Sequence, residues 1–247
     1  MPASVPVRVA VIGSSALSHL EGLRDVAANA MDTPYGPPSS PVVVGRLGSV
    51  RVAFLARHGE TRSVPPHRVN HRANLWALKE VGVQRILATS SVGSLKKAIR
   101  PGTLAIPHDY ISLWEIPTFH DDKPVHATPA LDQGIRTAVL SAAKRMGARV
   151  RSRAVYAQTL GPRLETKAEI RLLADYADLV GMTMASEATL AAELGLAYAS
   201  LCTVDNYAHG ITPTPLTFDA IRKKQEENAH AVARLLEPTL RILVAEE

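Results

Sequence analysis

Short apolar runs alternate along the chain with longer stretches in which apolar residues recur at helical spacing. The runs at 8–12, 42–44, 51–55, 85–89, 154–157, 179–182 and 197–204 predict strands. Helical spacing predicts helices over 70–81, 129–146, 167–174, 186–194 and 218–243. Because strands alternate with helices, we expect an α/β protein. A single domain over residues 1–247 would contain a mixed, mostly parallel central sheet flanked by helices.

Polar, often glycine-containing segments follow six of the predicted strands. They begin at Gly13, Arg57, Ser90, Gly161, Thr183 and Asn206. Ligands of open α/β sheets bind outside the carboxyl ends of the strands. We therefore expect these segments to converge on one site, but the pattern alone does not identify the ligand.

Composition narrows the class of protein. The 247 residues are 46% hydrophobic and 21% charged, which is typical of a globular protein, and the net charge is +5. The basic residues are scattered rather than gathered on a stripe with aromatic residues, so we expect an anionic small substrate and not a nucleic acid. The single cysteine, Cys202, excludes an internal disulfide and a four-thiolate zinc site. Neither a leader nor a membrane span is recognised, which points to the cytoplasm.

Three of the polar segments are suited to binding an anion. Arg57 and His58 place a permanent cation beside a titratable one, and a guanidinium binds phosphate in two-point geometry. Hydroxyl and backbone N–H groups at 14–15 and 90–91 could complete an anion nest. Each feature alone is also compatible with an ordinary turn or a solvated loop.

Two other residues could recognise an organic ligand. Glu165 follows the tight turn at 161–163, and Asn206 ends a strongly apolar strand, where its amide needs hydrogen-bond partners. The simpler interpretations are a helix-capping acid for Glu165 and a turn-forming residue for Asn206.

Taken together, these segments resemble the trimeric purine nucleoside phosphorylase and methylthioadenosine phosphorylase family. The resemblance lies in 56–59, in the long block 66–79, in 88–95 followed by Pro101 and Gly102, in 161–169, and in 180–183 with Glu187. The order and spacing of these stretches match the family along nearly the whole chain, and the long block is very specific.

The resemblance implies roles for individual residues. The expected phosphate ligands are Ser15, Arg57, His58, Ser90 and Thr183. The resemblance places the ribose over Met182 and the purine base at Glu165 and Asn206. It also implies further substrate contacts at Ser91 and Phe218. His58 and Asn206 are the expected catalytic residues. Inorganic phosphate is the expected co-substrate, with no metal and no organic cofactor, and the expected assembly is a homotrimer. The partners of such an enzyme are a purine nucleoside and phosphate, with neither nucleic acid nor membrane.

The resemblance also bears on the substrate. The adenine-preferring branch carries aspartates around the positions of Asn206 and Ala208, and this chain has neither. We therefore expect phosphorolysis of a 6-oxopurine nucleoside or of its 5'-methylthio analogue. An apolar Phe218 near the 5'-pocket favours a 5'-thioether. The alternatives are an adenine-preferring S-methyl-5'-thioadenosine phosphorylase, a nucleosidase that uses water, and a catalytically silent purine-binding protein.

Three positions depart from the family pattern. The loop at 13–16 lacks the usual glycines, His71 replaces a tyrosine, and Ser186 replaces a proline.

Overall fold

The computed structural model describes residues 7–13 and 22–245, and it contains a central sheet with helices on both faces. The strands are β1 (Val9–Gly13), β2 (Leu23–Asn29), β3 (Val42–Leu47), β4 (Val50–Ala56), β5 (Arg85–Ser94), β6 (Leu104–Ala105), β7 (Asp109–Ser112), β8 (Val150–Arg151), β9 (Val155–Gln158), β10 (Leu179–Gly181) and β11 (Ala197–Tyr207). The helices are α1 (His71–Glu80), α2 (Gln133–Arg145), α3 (Lys167–Tyr176), α4 (Met184–Glu193) and α5 (Phe218–Ala245), and a short 3-10 helix spans Pro66–Arg68.

The sheet is mixed and mostly parallel, as the sequence predicts. Its main path runs β2-β3-β4-β1-β5-β10-β9-β7, and β11 pairs with β5 and β6. The pairs β1–β4, β1–β5, β5–β11, β9–β10 and β7–β9 are parallel. The strands predicted at 42–44 and 51–55 form a hairpin: β3 and β4 pair antiparallel up to Leu47 and Val50, and Gly48 takes a positive φ of 58° in the turn.

Alternating side chains of the central strands fill two hydrophobic layers. In β5, Ile86 and Ala88 join one core cluster with residues of α1 and α4, whereas Leu87 joins a second cluster with residues of α2 and α5. This two-sided burial explains why the central strands are continuous apolar runs.

Local sequence signals explain where several helices begin. The side chain of Asn70 accepts from the Ala73 N–H ahead of α1, and Thr166 and Glu169 form a capping box at α3. The predicted start of α4 at residue 186 is wrong by two residues, because Thr183 is the N-cap and the helix begins at Met184.

Two predicted strand ends are also wrong. The sequence pattern ends these strands at residues 89 and 204, but residues 90–94 and 205–207 continue β5 and β11 as paired strands. Each strand satisfies the backbone groups of the other along this length, so polar side chains do not end the pairing. The sequence pattern did not predict β2, β6, β7 and β8. No helix in the described part of the chain is long and apolar enough to cross a membrane.

Candidate active site

The candidate site lies along one edge of β5, where the neighbouring strand changes. This edge pairs with β1 from Arg85 to Ala88, and pairing resumes with β10 at Gly93 and Ser94. Within the described residues, 89–92 therefore face an opening in the sheet. Backbone groups of β5 have no strand partner along this opening, which lies beside the ends of β1, β4 and β10.

The expected convergence of strand ends takes place, but not all strands arrive from the same direction. The strands β1, β4, β5 and β11 all run in the same direction. The strand β10 runs antiparallel to β5, and β9 is parallel to β10. Gly93 lies between Val180 of β10 and Asn206 of β11, so the end of β10 approaches from the far side of the opening. The opening is thus lined from both directions.

Arg57 enters the opening from the end of β4. Its backbone N–H donates to the Gly13 carbonyl at 2.9 Å, and its Nη1 donates to the Thr89 carbonyl at 2.8 Å. Its Nε and Nη2 donate to the two carboxylate oxygens of Glu187 in α4, at 2.5 Å and 2.9 Å. The cation predicted from the sequence is therefore one half of a buried bidentate ion pair: Arg57 is 3% exposed and Glu187 is fully buried.

Tyr198 of β11 completes this pair by donating its hydroxyl proton to Glu187 Oε2 at 2.7 Å. Burial alone would raise the pKa of Glu187, but the Arg57 cation and its hydrogen bonds outweigh burial and hold this pKa below its usual range. Burial likewise opposes charge on Arg57, and Glu187 more than restores it, so the pKa of Arg57 is raised. Both groups stay ionised at neutral pH.

The two histidines beside this pair are neutral at neutral pH. His58 Nδ1 lies 2.9 Å from the Val64 carbonyl, and its pKa is lowered by burial and then by the Arg57 cation. His71 Nδ1 lies 3.9 Å from Glu187 Oε1 and has no hydrogen-bond partner among the described residues. Burial lowers the pKa of His71 to about 4.

Thr183 sits at the N-terminus of α4, where helix N–H groups favour an anion. Its side chain makes no capping hydrogen bond, so the hydroxyl is available to a ligand. The backbone N–H groups of Thr183 and Met184 donate to the Tyr156 hydroxyl at 3.2 Å and 3.4 Å. Tyr156 can approach this closely because residue 181 is glycine: a Cβ there would lie 2.3 Å from the tyrosine oxygen.

The adjacent serines Ser90 and Ser91 of β5 lie on opposite faces of the sheet. Ser90 is buried, and its Oγ lies 3.0 Å from Ser200 Oγ on β11. Ser91 is exposed and accepts a hydrogen bond from Gln225 of α5 at 2.8 Å. Neighbouring residues of a strand point to opposite faces, so the two hydroxyls cannot face the same ligand group.

Asn206 lies on β11 opposite Gly93 at the far end of the opening, and Glu165 lies on the loop between β9 and α3. Glu165 is 7% exposed, and its Oε1 accepts from the Thr159 hydroxyl at 2.6 Å, which leaves Oε2 for a ligand. His209 Nδ1 lies 3.0 Å from the Glu165 carbonyl, which ties the loop after β11 to this residue. A register shift between Val204 and Asn206 re-aims the Asn206 side chain, whose Nδ2 donates to the Tyr207 carbonyl at 2.9 Å.

Met182 and Phe218, both expected to contact substrate, differ in their surroundings. Met182 packs on Gly161, where a Cβ would lie 2.5 Å from the Met182 sulfur, so the close approach requires glycine. Phe218 is 74% exposed at the first residue of α5. Ser15, the fifth expected phosphate ligand, lies outside the described residues.

Sequence reasoning missed the residues that hold the expected ligands in place. The sequence places Glu187 in a matching stretch without indicating its partner, and it places Tyr156 and Tyr198 in apolar strands. A usable signal is that Glu187 is the one charged residue in the stretch 179–192, because a carboxylate buried within such a stretch requires a cation.

The arrangement can bind an anion at one end and a polar heterocycle at the other. Thr89 and Gly93 mark the two ends on β5, and four residues of strand span about 13 Å. No group of three or more His, Cys, Asp or Glu side chains in the described ranges could hold a metal ion.

Comparison with known proteins supplies independent information. The model of the Phosphorylase superfamily matches residues 8–241. A protein of Archaeoglobus fulgidus named probable 6-oxopurine nucleoside phosphorylase is 42% identical over 234 residues, which cover 94% of this chain and 96% of that protein. A probable S-methyl-5'-thioinosine phosphorylase of Thermodesulfovibrio yellowstonii is 38% identical over 97% of this chain and 92% of its own length. A solved structure, methylthioadenosine phosphorylase from Schistosoma mansoni in complex with adenine, superposes with a TM-score of 0.87 at 27% identity, covering 98% of this chain and 93% of that one.

Proposed function

The chain belongs to the phosphorylase superfamily, and on that premise we propose that it is a pentosyltransferase that cleaves a 6-oxopurine nucleoside or its 5'-methylthio analogue with inorganic phosphate. The products are the free base and the ribose 1-phosphate or its 5-methylthio derivative. The observation that carries the proposal is the opening beside β5, where Arg57 contacts Thr89 at one end and Asn206 lies opposite Gly93 at the other. We also propose that residues 1–247 form one phosphorylase domain.

Phosphate is assigned to the end that contains Arg57. A guanidinium has five N–H groups, and three are used by Glu187 and Thr89, so two N–H groups of Arg57 are available. Thr183 adds a hydroxyl at the N-terminus of α4, and His58 adds a titratable nitrogen. These groups would align phosphate with the ribose and so convert an encounter into an oriented attack.

The base is assigned to the end that contains Glu165 and Asn206. The transition state resembles an oxocarbenium ion, and negative charge develops on the leaving purine. The Asn206 amide would donate to O6 or N7 of the purine as that charge grows, which stabilises the transition state electrostatically. Met182 would pack beneath the ribose, between the two ends.

Donor–acceptor matching favours a 6-oxopurine over adenine. A 6-oxopurine has an acceptor at O6 and a donor at N1, which match the Asn206 amide and the free Oε2 of Glu165. Adenine has a lone pair at N1, and an unpaired contact of this kind costs roughly 1–3 kcal/mol. The names of the two relatives from Archaeoglobus fulgidus and Thermodesulfovibrio yellowstonii support this choice, since hypoxanthine is a 6-oxopurine. Because the Schistosoma mansoni structure contains adenine, the substrates tested below include adenosine and methylthioadenosine.

A substrate panel tests the proposal directly. Inosine, guanosine, adenosine, methylthioinosine and methylthioadenosine are each incubated with and without inorganic phosphate, and release of free base is measured. We expect release that requires phosphate and is fastest with a 6-oxopurine. Release at the same rate without phosphate would indicate a nucleosidase, binding without release would indicate a purine-binding protein, and a tenfold preference for adenosine or methylthioadenosine would refute the assignment of the base.

We also propose a homotrimer, in line with the family that the sequence resembles. Leu172 and Tyr176, four residues apart on α3, are 54% and 70% exposed, while Leu160 and Leu164 just before this helix are 47% and 39% exposed. Large apolar side chains exposed together are typical of a contact surface. Sedimentation velocity of the purified chain measures the assembly.

A further inference from the structure

The ion pair beside the expected phosphate position carries no net charge. Glu187 binds Arg57 through both carboxylate oxygens, and Tyr198 donates a third hydrogen bond to the same carboxylate. Both members of the pair are buried, so solvent does not screen the interaction between them. The positive charge of Arg57 is therefore cancelled before any ligand enters.

Among the described residues, the titratable groups around this pair add no compensating positive charge at neutral pH. His58 faces Arg57 and Arg62 from its own loop and Glu187 from α4, and His71 of α1 faces Glu187, Arg57 and His58. Tyr156 of β9 and Tyr198 of β11 also face Arg57, and burial raises the pKa of both, so they remain neutral. Arg62 is exposed, so solvent weakens its effect. A phosphate dianion that entered this site would leave two buried negative charges uncompensated, which is strongly unfavourable.

His58 provides a position for one proton. The Val64 carbonyl can only accept a hydrogen bond, so Nδ1 of His58 carries the ring proton and the neutral ring has its lone pair on Nε2. Nε2 can accept a hydrogen bond from a protonated phosphate oxygen, or it can take that proton and donate it back. The two arrangements contain the same atoms and the same total charge.

We propose that Glu187 is a positioning residue that orients Arg57 and cancels its charge, so that the phosphate dianion enters together with one proton shared between a phosphate oxygen and His58 Nε2. The proton comes from solvent, and no bond to phosphorus forms or breaks in this step. The proposal rests on the proposed function, in which phosphate is the co-substrate.

Proton uptake can be measured by titration calorimetry. Inorganic phosphate is titrated into the full chain at about pH 8, in two buffers of different ionisation enthalpy, and the difference in apparent heat gives the number of protons taken up. We expect an uptake of about one proton per bound phosphate. In the pH range where free phosphate is the dianion, the dissociation constant of phosphate should rise about tenfold for each increase of one pH unit.

The variant Glu187→Gln separates the electrostatic role from a purely structural one. It preserves the size of the side chain and leaves the charge of Arg57 uncancelled, so the dianion can bind without a proton. We expect an uptake near zero and a flat pH profile. Glu193→Gln is the matched control, because it removes a carboxylate from the same helix that contacts Thr118 and Phe119 instead of Arg57. It should keep the wild-type uptake and slope.

Two results would overturn the proposal. One is phosphate binding to the wild type without proton uptake, which needs no variant and decides the question even if Glu187→Gln does not fold. The other is a Glu187→Gln protein that binds phosphate more weakly but with the wild-type uptake and slope, which is the pattern of a merely structural residue. Failure of the proposed function is distinguishable, since it would appear as no phosphate binding and no phosphate-dependent release of base.

Discussion

Replacing Gly181 with alanine probes how the fold holds the N-terminus of α4 in place. The added Cβ would lie 2.3 Å from the Tyr156 hydroxyl oxygen and 2.8 Å and 2.9 Å from two ring carbons. Tyr156 is fully buried, so it cannot move aside into solvent. Gly181 does not occupy the left-handed backbone region, so the effect of the substitution is steric.

The cost can be worked out from two contributions. Forcing a methyl group into a packed core costs roughly 1–3 kcal/mol. Moving the Tyr156 hydroxyl also removes the acceptor of the Thr183 and Met184 N–H groups, and each buried donor left unpaired costs about 1–3 kcal/mol. Because partial relaxation will recover some of this, we expect a loss of about 2–4 kcal/mol in the free energy of unfolding, which corresponds to a Tm lower by roughly 5–15 °C.

Activity provides a second measurement. The same displacement shifts Thr183, whose hydroxyl is expected to bind phosphate, so KM for phosphate should rise by about tenfold, or 1.4 kcal/mol. KM for the nucleoside should change less, because Glu165 and Asn206 lie on other segments.

Denaturant unfolding and steady-state kinetics are the assays, and Gly134→Ala is the matched control. Gly134 lies in α2, and the closest atom to an added Cβ belongs to the Asp132 side chain, at 3.2 Å. Alanine in a helix reduces the entropy of the unfolded chain, whereas its Cβ crowds the Asp132 carboxylate that caps α2, so the control should change stability by less than about 1 kcal/mol. A Gly181→Ala protein within about 0.5 kcal/mol of the wild type, with an unchanged phosphate KM, would refute the steric reasoning.

Two further predictions concern the base and pH. Asn206→Asp should lower kcat/KM on inosine-type substrates by about 10- to 100-fold and affect adenine-type substrates less, since an ionised carboxylate cannot donate to O6; an equal loss on paired substrates that differ only at position 6 would contradict this. The pKa of His71 is about 4 in the folded chain, against an ordinary value of 6.5. Between these two values the unfolded chain binds a proton that the folded chain does not. The free energy of unfolding should therefore decrease as the pH falls from 6.5 toward 4. Between about pH 7 and about pH 5 this loss amounts to about 2 kcal/mol. His71→Phe, measured by denaturant unfolding at both pH values, should show a smaller loss, and a loss as large as in the wild type would exclude His71 as its source.

Much of the fold was predictable from local patterns. Each apolar run read as a strand is a strand, because burial on both faces of a central sheet requires continuous apolar side chains. Helix starts near Asn70 and Thr166 follow from caps that act within three residues. The edge strand β2 could not be found this way, because nearly all of its residues are exposed and show no apolar alternation.

The sequence by itself determined which chemical groups are present near the ends of the strands: a guanidinium and an imidazole after β4, a hydroxyl before α4, and an amide near the end of β11. These groups can be identified from the sequence because strand and helix boundaries depend on neighbouring residues. In addition, each motif that resembles known phosphorylases is a continuous stretch of the chain. These motifs pointed to the correct family.

Only the tertiary structure decided how these groups are charged and oriented. Arg57 and Glu187 are 130 residues apart in the chain, and they meet because β10 runs antiparallel to β5 and delivers α4 to the opening. Strand direction and register depend on pairings between distant segments, which local patterns do not encode. The same pairing converts a predicted free cation into half of a neutral pair. The charge that phosphate meets at this site is therefore a property of the fold and not of any one motif.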